Sequence, residues 1–217
     1  GIFAVATFLF VREVKTKQEI IPKIPVAFTF SLAKFSSSFR LFIVAVFLFG
    51  LGVMPVSLML LKASDIGLAV TSIPALYLVY TVSFALFAIP FGRVSDVIGE
   101  KRVMIGGFCA GIVAYITLAV STGLLGTVFG FVLFGLYSAM TDGVERAFAT
   151  KLVAREHLAQ GQGFLQSAVG ISALLGGLVG GGLWTIYGAM YAFSYGAILM
   201  TIGMFVFVRL NGFHQEV

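Results

Sequence analysis

The chain has 217 residues, 59% hydrophobic and 11% charged, with 26 glycines and 23 phenylalanines. A mean hydropathy of +1.07 excludes a soluble globular domain and indicates a membrane protein. The net charge of +5 would suggest nucleic acid as a partner of a soluble chain. These basic residues lie between apolar runs, where they orient a chain in a bilayer, so the lipid bilayer is the expected partner and nucleic acid is not.

In chain order, the first segment is an apolar run over residues 1–11 with no basic residue ahead of it. It is not a signal peptide and reads as the end of a truncated transmembrane helix. Residues 12–40 hold Arg12, Lys15, Lys17, Lys23, Lys34 and Arg40, with Pro22, Pro25 and a triple serine. They read as a linker between two helical bundles. A bilayer core about 30 Å thick needs roughly 20 apolar residues in a helix. Residues 41–61 and 68–91 each meet that length. Residues 103–141 are too long for one span and break at Ser121-Thr122-Gly123. Residues 164–208 break at Tyr187-Gly188-Ala189. The runs are continuous rather than alternating, which favours helices over a β-barrel. The predicted fold is therefore all-α: a polytopic six-helix transmembrane bundle over residues 41–208, with a tail at 209–217.

The loops confirm the parity of that count. Thirteen basic residues fall in alternate segments (12–40, 92–102, 142–163 and the tail), and one, Lys62, falls in the others. The positive-inside rule puts the basic segments and the C-terminus in the cytoplasm. The lone Cys109 excludes an intramolecular disulfide framework. His157 and His214 lie apart in polar segments, so neither a metal site nor a cofactor is expected. With no cluster of His, Asp, Cys or Ser at one interface, an enzyme is not expected either.

The most charged stretch is GRVSDVIGEKR, residues 92–102. Its pattern of Gly92, Asp96, Gly99, Lys101 and Arg102 resembles the signature loop of the major facilitator superfamily. Val97 and Glu100 stand where that signature usually has basic residues. A lead into the fifth span at residues 156–163 is similar to the same family's entry into helix 11, with Leu158 and Ala159 departing from it. The resemblance covers nearly the whole chain. It implies the C-terminal half of a transporter: the end of helix 6, the central loop and helices 7–12. The other partners it implies are an absent N-terminal six-helix half and a small-molecule substrate, with transport by alternating access across the plasma (bacterial inner) membrane and efflux as the expected direction. A non-transporting scaffold or receptor on the same fold is the alternative.

In that family the loop at 92–102 braces a cytoplasmic gate. Asp142, Glu145 and Arg146, at the cytoplasmic end of the fourth span, are the expected partners in its charge network. No predicted span holds an internal ionisable residue, so a coupling carboxylate is expected outside this half. Secondary transporters bind substrate near the midplane, and the polar residues at that depth make Tyr80, Thr81, Tyr137 and Ser172 the candidates for the cavity wall. An uncharged aromatic wall suits a neutral or lipophilic substrate. The glycine pairs 107/111, 126/130, 176/180 and 177/181 read as close helix contacts rather than a phosphate loop.

Overall fold

The computed structural model describes residues 32–210, so the expected helix end at 1–11, most of the 12–40 linker and the tail beyond Leu210 lie outside the described residues. The chain divides into two units between Leu32 and Ala33, and all six candidate spans belong to the second. Among the described residues the only regular structure is helical. Six long helices account for the spans: α1 (Ser37–Gly52), α2 (Ile73–Ile98), α3 (Glu100–Val120), α4 (Leu124–Lys151), α5 (Leu158–Tyr187) and α6 (Ala189–Val208). The predicted breaks at 121–123 and 187–189 fall where the chain turns.

Local chemistry sets the ends. The Ser36 hydroxyl caps α1 by accepting from the Phe39 N–H at 3.2 Å. Pro74 sits in the first turn of α2, where its missing N–H costs nothing. Gly99 (φ +93°) and Gly188 (φ +92°) occupy the left-handed region that favours glycine, so each ends one helix and starts the next with no intervening loop. Pro90 is carried inside α2, whereas Gly52 and Pro55 break the first span into α1 and a short helix, Val56–Met59.

Helix α4 packs between α2 and α3, and α6 packs against α1, α3 and α5. The core is aromatic: Phe39, Phe42, Phe108, Tyr115, Phe131, Phe193 and Phe207 are fully buried. Helices α2 and α5 differ from the rest. Only 11% and 17% of their most apolar stretches are buried, against 39–50% in the other four spans. Leu78, Val82, Leu86 and Ile89 thus form an exposed apolar stripe along α2.

Two predicted boundaries are corrected. The segment at 92–102 is not a loop, since α2 runs to Ile98, α3 starts at Glu100 and Gly99 alone separates them. The segment at 142–163 is helical through Lys151, so α4 has 28 residues and carries Asp142, Glu145 and Arg146 within it.

Candidate functional site

A cavity of ≈ 90 Å³ lies among α1, α3, α4 and α5. Phe49 of α1 stacks on Phe108 of α3 at 4.1 Å and lies 5.6 Å from the ring of Tyr137 on α4. These three rings line it together with aliphatic residues such as Val46, Val53 and Val169, and Ser172 of α5 and Glu145 of α4 are its polar members. Gly50 lets α1 and α5 close at this level, because a Cβ there would stand 2.1 Å from the Ser172 hydroxyl oxygen. That hydroxyl donates back to the Val169 carbonyl at 3.0 Å.

Glu145 corrects the expectation that this wall is uncharged. Its position follows from the length of α4. Tyr137, Thr141 and Glu145 are spaced by four, so they share one helix face. Thr141 donates its hydroxyl to the Tyr137 carbonyl at 2.9 Å. Among the described residues no Lys, Arg or His nitrogen lies within ion-pair distance of Glu145.

The four predicted cavity residues separate into two groups. Tyr137 and Ser172 share the cavity. Tyr80 belongs to the contact between α2 and α4, where its hydroxyl donates to Ser138 Oγ at 3.4 Å. Thr81 satisfies its hydroxyl within its own helix, on the carbonyls of Tyr77 (3.0 Å) and Leu78 (3.1 Å). An aromatic chain joins the groups: Tyr80 to Phe134 at 5.5 Å, and Phe134 to Tyr137 at 5.4 Å. Phe49, Phe108 and Glu145 are among the wall residues that sequence reasoning did not assign there. Extending the spacing of four from Tyr137 past Thr141 is the signal that finds Glu145.

The charged end of the bundle departs from the expected pairing around Asp96. Glu100 pairs with Lys151, joining the start of α3 to the end of α4. Lys101 donates to the carbonyls of Val208 (3.1 Å) and Leu210, which closes the end of α6. Arg102 reaches the Ile98 carbonyl at 3.5 Å. Asp96 is exposed and has no ion pair among the described residues. It borders a groove of ≈ 390 Å³ between α2 and α4, floored by the small residues Gly92, Ser95, Ala139 and Gly143. The physical reason is the glycine turn. It places Glu100 and Lys101 on a new helix that faces α4 and α6, while Asp96 stays on α2.

Six apolar spans, four of which line a small cavity, define an integral, multi-pass membrane bundle. The chain belongs to the Major Facilitator Superfamily, a family of membrane transporters, whose family model matches residues 42–215. It is similar to an uncharacterized MFS-type transporter of Methanocaldococcus jannaschii, 32% identical over 128 residues. That stretch is 59% of this chain and 32% of the relative, so the match spans about a third of the relative's length.

Proposed function

We propose that this bundle is one half of a secondary transporter that moves small organic molecules out of the cell by alternating access. The observation that carries the reading is the pairing of a cavity inside the bundle with two spans, α2 and α5, whose apolar faces stay uncovered. Each face suits a second six-helix bundle, and substrate would bind between the two. The charged end faces the cytoplasm of the plasma membrane, as its excess of basic residues favours. The groove beside Asp96 then receives the other half when the cytoplasmic side closes.

The test is flux through the whole protein in proteoliposomes. Small organic solutes should be transported, and residues 1–217 alone should move none. Absence of flux from the whole protein across a broad solute panel would favour a scaffold or receptor. Asp96→Asn should slow turnover while leaving insertion intact. An unchanged rate would remove Asp96 from the gate.

A further inference from the structure

We propose that Glu145 makes the cavity a receptor for the head of an organic ammonium ion. The proposal rests on the transporter reading above and names the class of substrate for the same site. Glu145 shares a space of ≈ 90 Å³ with Phe49, Phe108, Tyr137 and Ser172. Glu145 is half-buried, and a carboxylate partly withdrawn from water is costly to keep charged unless a cation or hydrogen-bond donors compensate it. Among the described residues Glu145 has neither an ion pair nor a side-chain hydrogen bond with Ser172, whose hydroxyl is committed to Val169. Arg146, the next residue, lies about 100° away around the helix and is exposed, so its charge acts on Glu145 without forming an ion pair. Asp142, three residues earlier, adds a second negative charge on the same side of α4.

The walls make the same selection as the charge. Aromatic rings present a negative π-face, and a cation within about 6 Å of a ring centroid is attracted to it. The carboxylate, with Tyr137 beside it, therefore favours a cation over a neutral group and repels an anion, while Phe49 and Phe108, stacked on each other, add apolar wall. The size sets what kind of cation. Drug-sized sites enclose about 300–1,000 Å³, so this cavity holds a small head such as a substituted ammonium, with the remainder of the molecule outside it. A metal ion is a poorer occupant, since the described residues contain no cluster of three His, Cys, Asp or Glu side chains and the wall is mostly hydrocarbon.

The experiment compares two probes of nearly equal shape, choline and its uncharged carbon isostere 3,3-dimethylbutan-1-ol. Binding to the whole protein in lipid nanodiscs is measured by calorimetry at constant ionic strength. Choline should bind about tenfold more tightly than the isostere, which corresponds to 1.4 kcal/mol. Glu145→Gln should bring choline down to the isostere's affinity, and Glu145→Asp should retain most of the preference. Equal binding of the two probes, no binding of choline, or a Gln variant that keeps the preference would each overturn the proposal. So would displacement of choline by an equal concentration of sodium. The comparison of probes on the unaltered protein stands even where a variant fails to fold. A charge preference without flux would leave the site and remove the transporter reading, whereas flux of solutes without the preference would do the reverse.

Discussion

The hydroxyl oxygen of Tyr115 on α3 accepts a hydrogen bond from the backbone N–H of Met54 at 2.6 Å. Met54 lies in the unwound stretch between α1 and the short helix Val56–Met59, so its N–H has no helical acceptor. Tyr115 is fully buried, packs edge-on against Phe193 at 5.5 Å, and directs its own hydroxyl toward Met59 Sδ at 3.9 Å. One side chain thus supports both sides of the break. Removing the acceptor and keeping the ring leaves a buried N–H unpaired, which costs about 1–3 kcal/mol. Tyr115→Phe should lower the stability of the detergent-solubilised protein by that amount in a denaturant titration. Unchanged stability would mean that the break is satisfied in another way.

The glycines of α5 give a paired test. A Cβ at Gly176 would stand 2.7 Å from the Leu51 carbonyl oxygen, and one at Gly180 would stand 2.6 Å from Met54 Sδ. At Gly170 a Cβ would meet nothing within 4 Å. Gly176→Ala therefore forces α1 and α5 apart against backbone, an overpacking cost of about 1–3 kcal/mol. Gly170→Ala should be neutral, or stabilising by up to about 1 kcal/mol through helix propensity. Thermal unfolding of the two variants side by side checks the contrast, and equal midpoints would refute it.

The spans were legible because charge-free length and glycine punctuation both report on the membrane. The turns at Ser121–Gly123 and Gly188 fall where those signals coincide. The helix ends were not legible, because hydropathy marks where the bilayer ends and a helix continues past it. Helix α4 carries Asp142, Glu145 and Arg146 as helical residues, and a reading that stops the span at Thr141 assigns Glu145 to a loop. Depth in the membrane singled out Tyr80, Thr81, Tyr137 and Ser172 together. Facing separates them, and facing depends on which neighbour each helix meets. The break before Pro55 was hidden for a related reason: membrane helices carry prolines such as Pro90 unbroken, and only the acceptor on Tyr115, 61 residues away, compensates the opening at Met54.

Orientation can be read with single cysteines in a Cys109→Ala background. Ser64, Val97 and Thr122 are exposed, with Val97 at 84%, and Ser95 is unsuitable because it is buried with its hydroxyl on the Gly92 carbonyl. An impermeant thiol reagent applied to intact cells should label Ser64→Cys and Thr122→Cys and leave Val97→Cys unlabelled until the cells are opened. Labelling at position 97 in sealed cells would invert the assigned topology.

Lys62 lies outside the six spans with a buried side chain. Burial pushes its ammonium pKa below the usual 10.5, and Asp65 opposes the shift only in part. The sign follows from linkage. The folded state holds the proton less tightly than the unfolded chain, so the charged form destabilises the fold below the lowered pKa. The penalty fades as pH rises through that value toward 10.5. Lys62→Met should therefore be more stable than the parent at neutral pH, and its advantage should shrink in alkali. Denaturant midpoints across that range test it, and an advantage independent of pH would assign the gain to packing.

The charges at the start of α3 face partners whose helix ends favour them. Lys101 donates to the carbonyl of Val208, which the last turn of α6 leaves unpaired at the negative end of its dipole, and to that of Leu210 just beyond the helix. Glu100 sits in the first turn of α3, where the dipole favours an acid, and pairs with Lys151 in the last turn of α4, where it favours a base. Glu100, which departs from the family signature, is thus matched by Lys151, and the two contacts tie α3, α4 and α6 together at one end. Lys151 is 57% exposed, so solvent screens the pair and its coupling should be only about 0.2–1 kcal/mol in a double-mutant cycle of Glu100→Gln with Lys151→Met. Salt shortens the screening length to about 3 Å at 1 M, and the coupling should fall toward zero there. Lys101→Met should cost about 0.3–1 kcal/mol and keep more of that cost in high salt, because two direct hydrogen bonds are lost as well as a charge. Chemical denaturation of the four variants and the parent at low and high salt separates the two contacts. Loss of both effects in equal proportion would mean that Lys101 acts only as a screened surface charge.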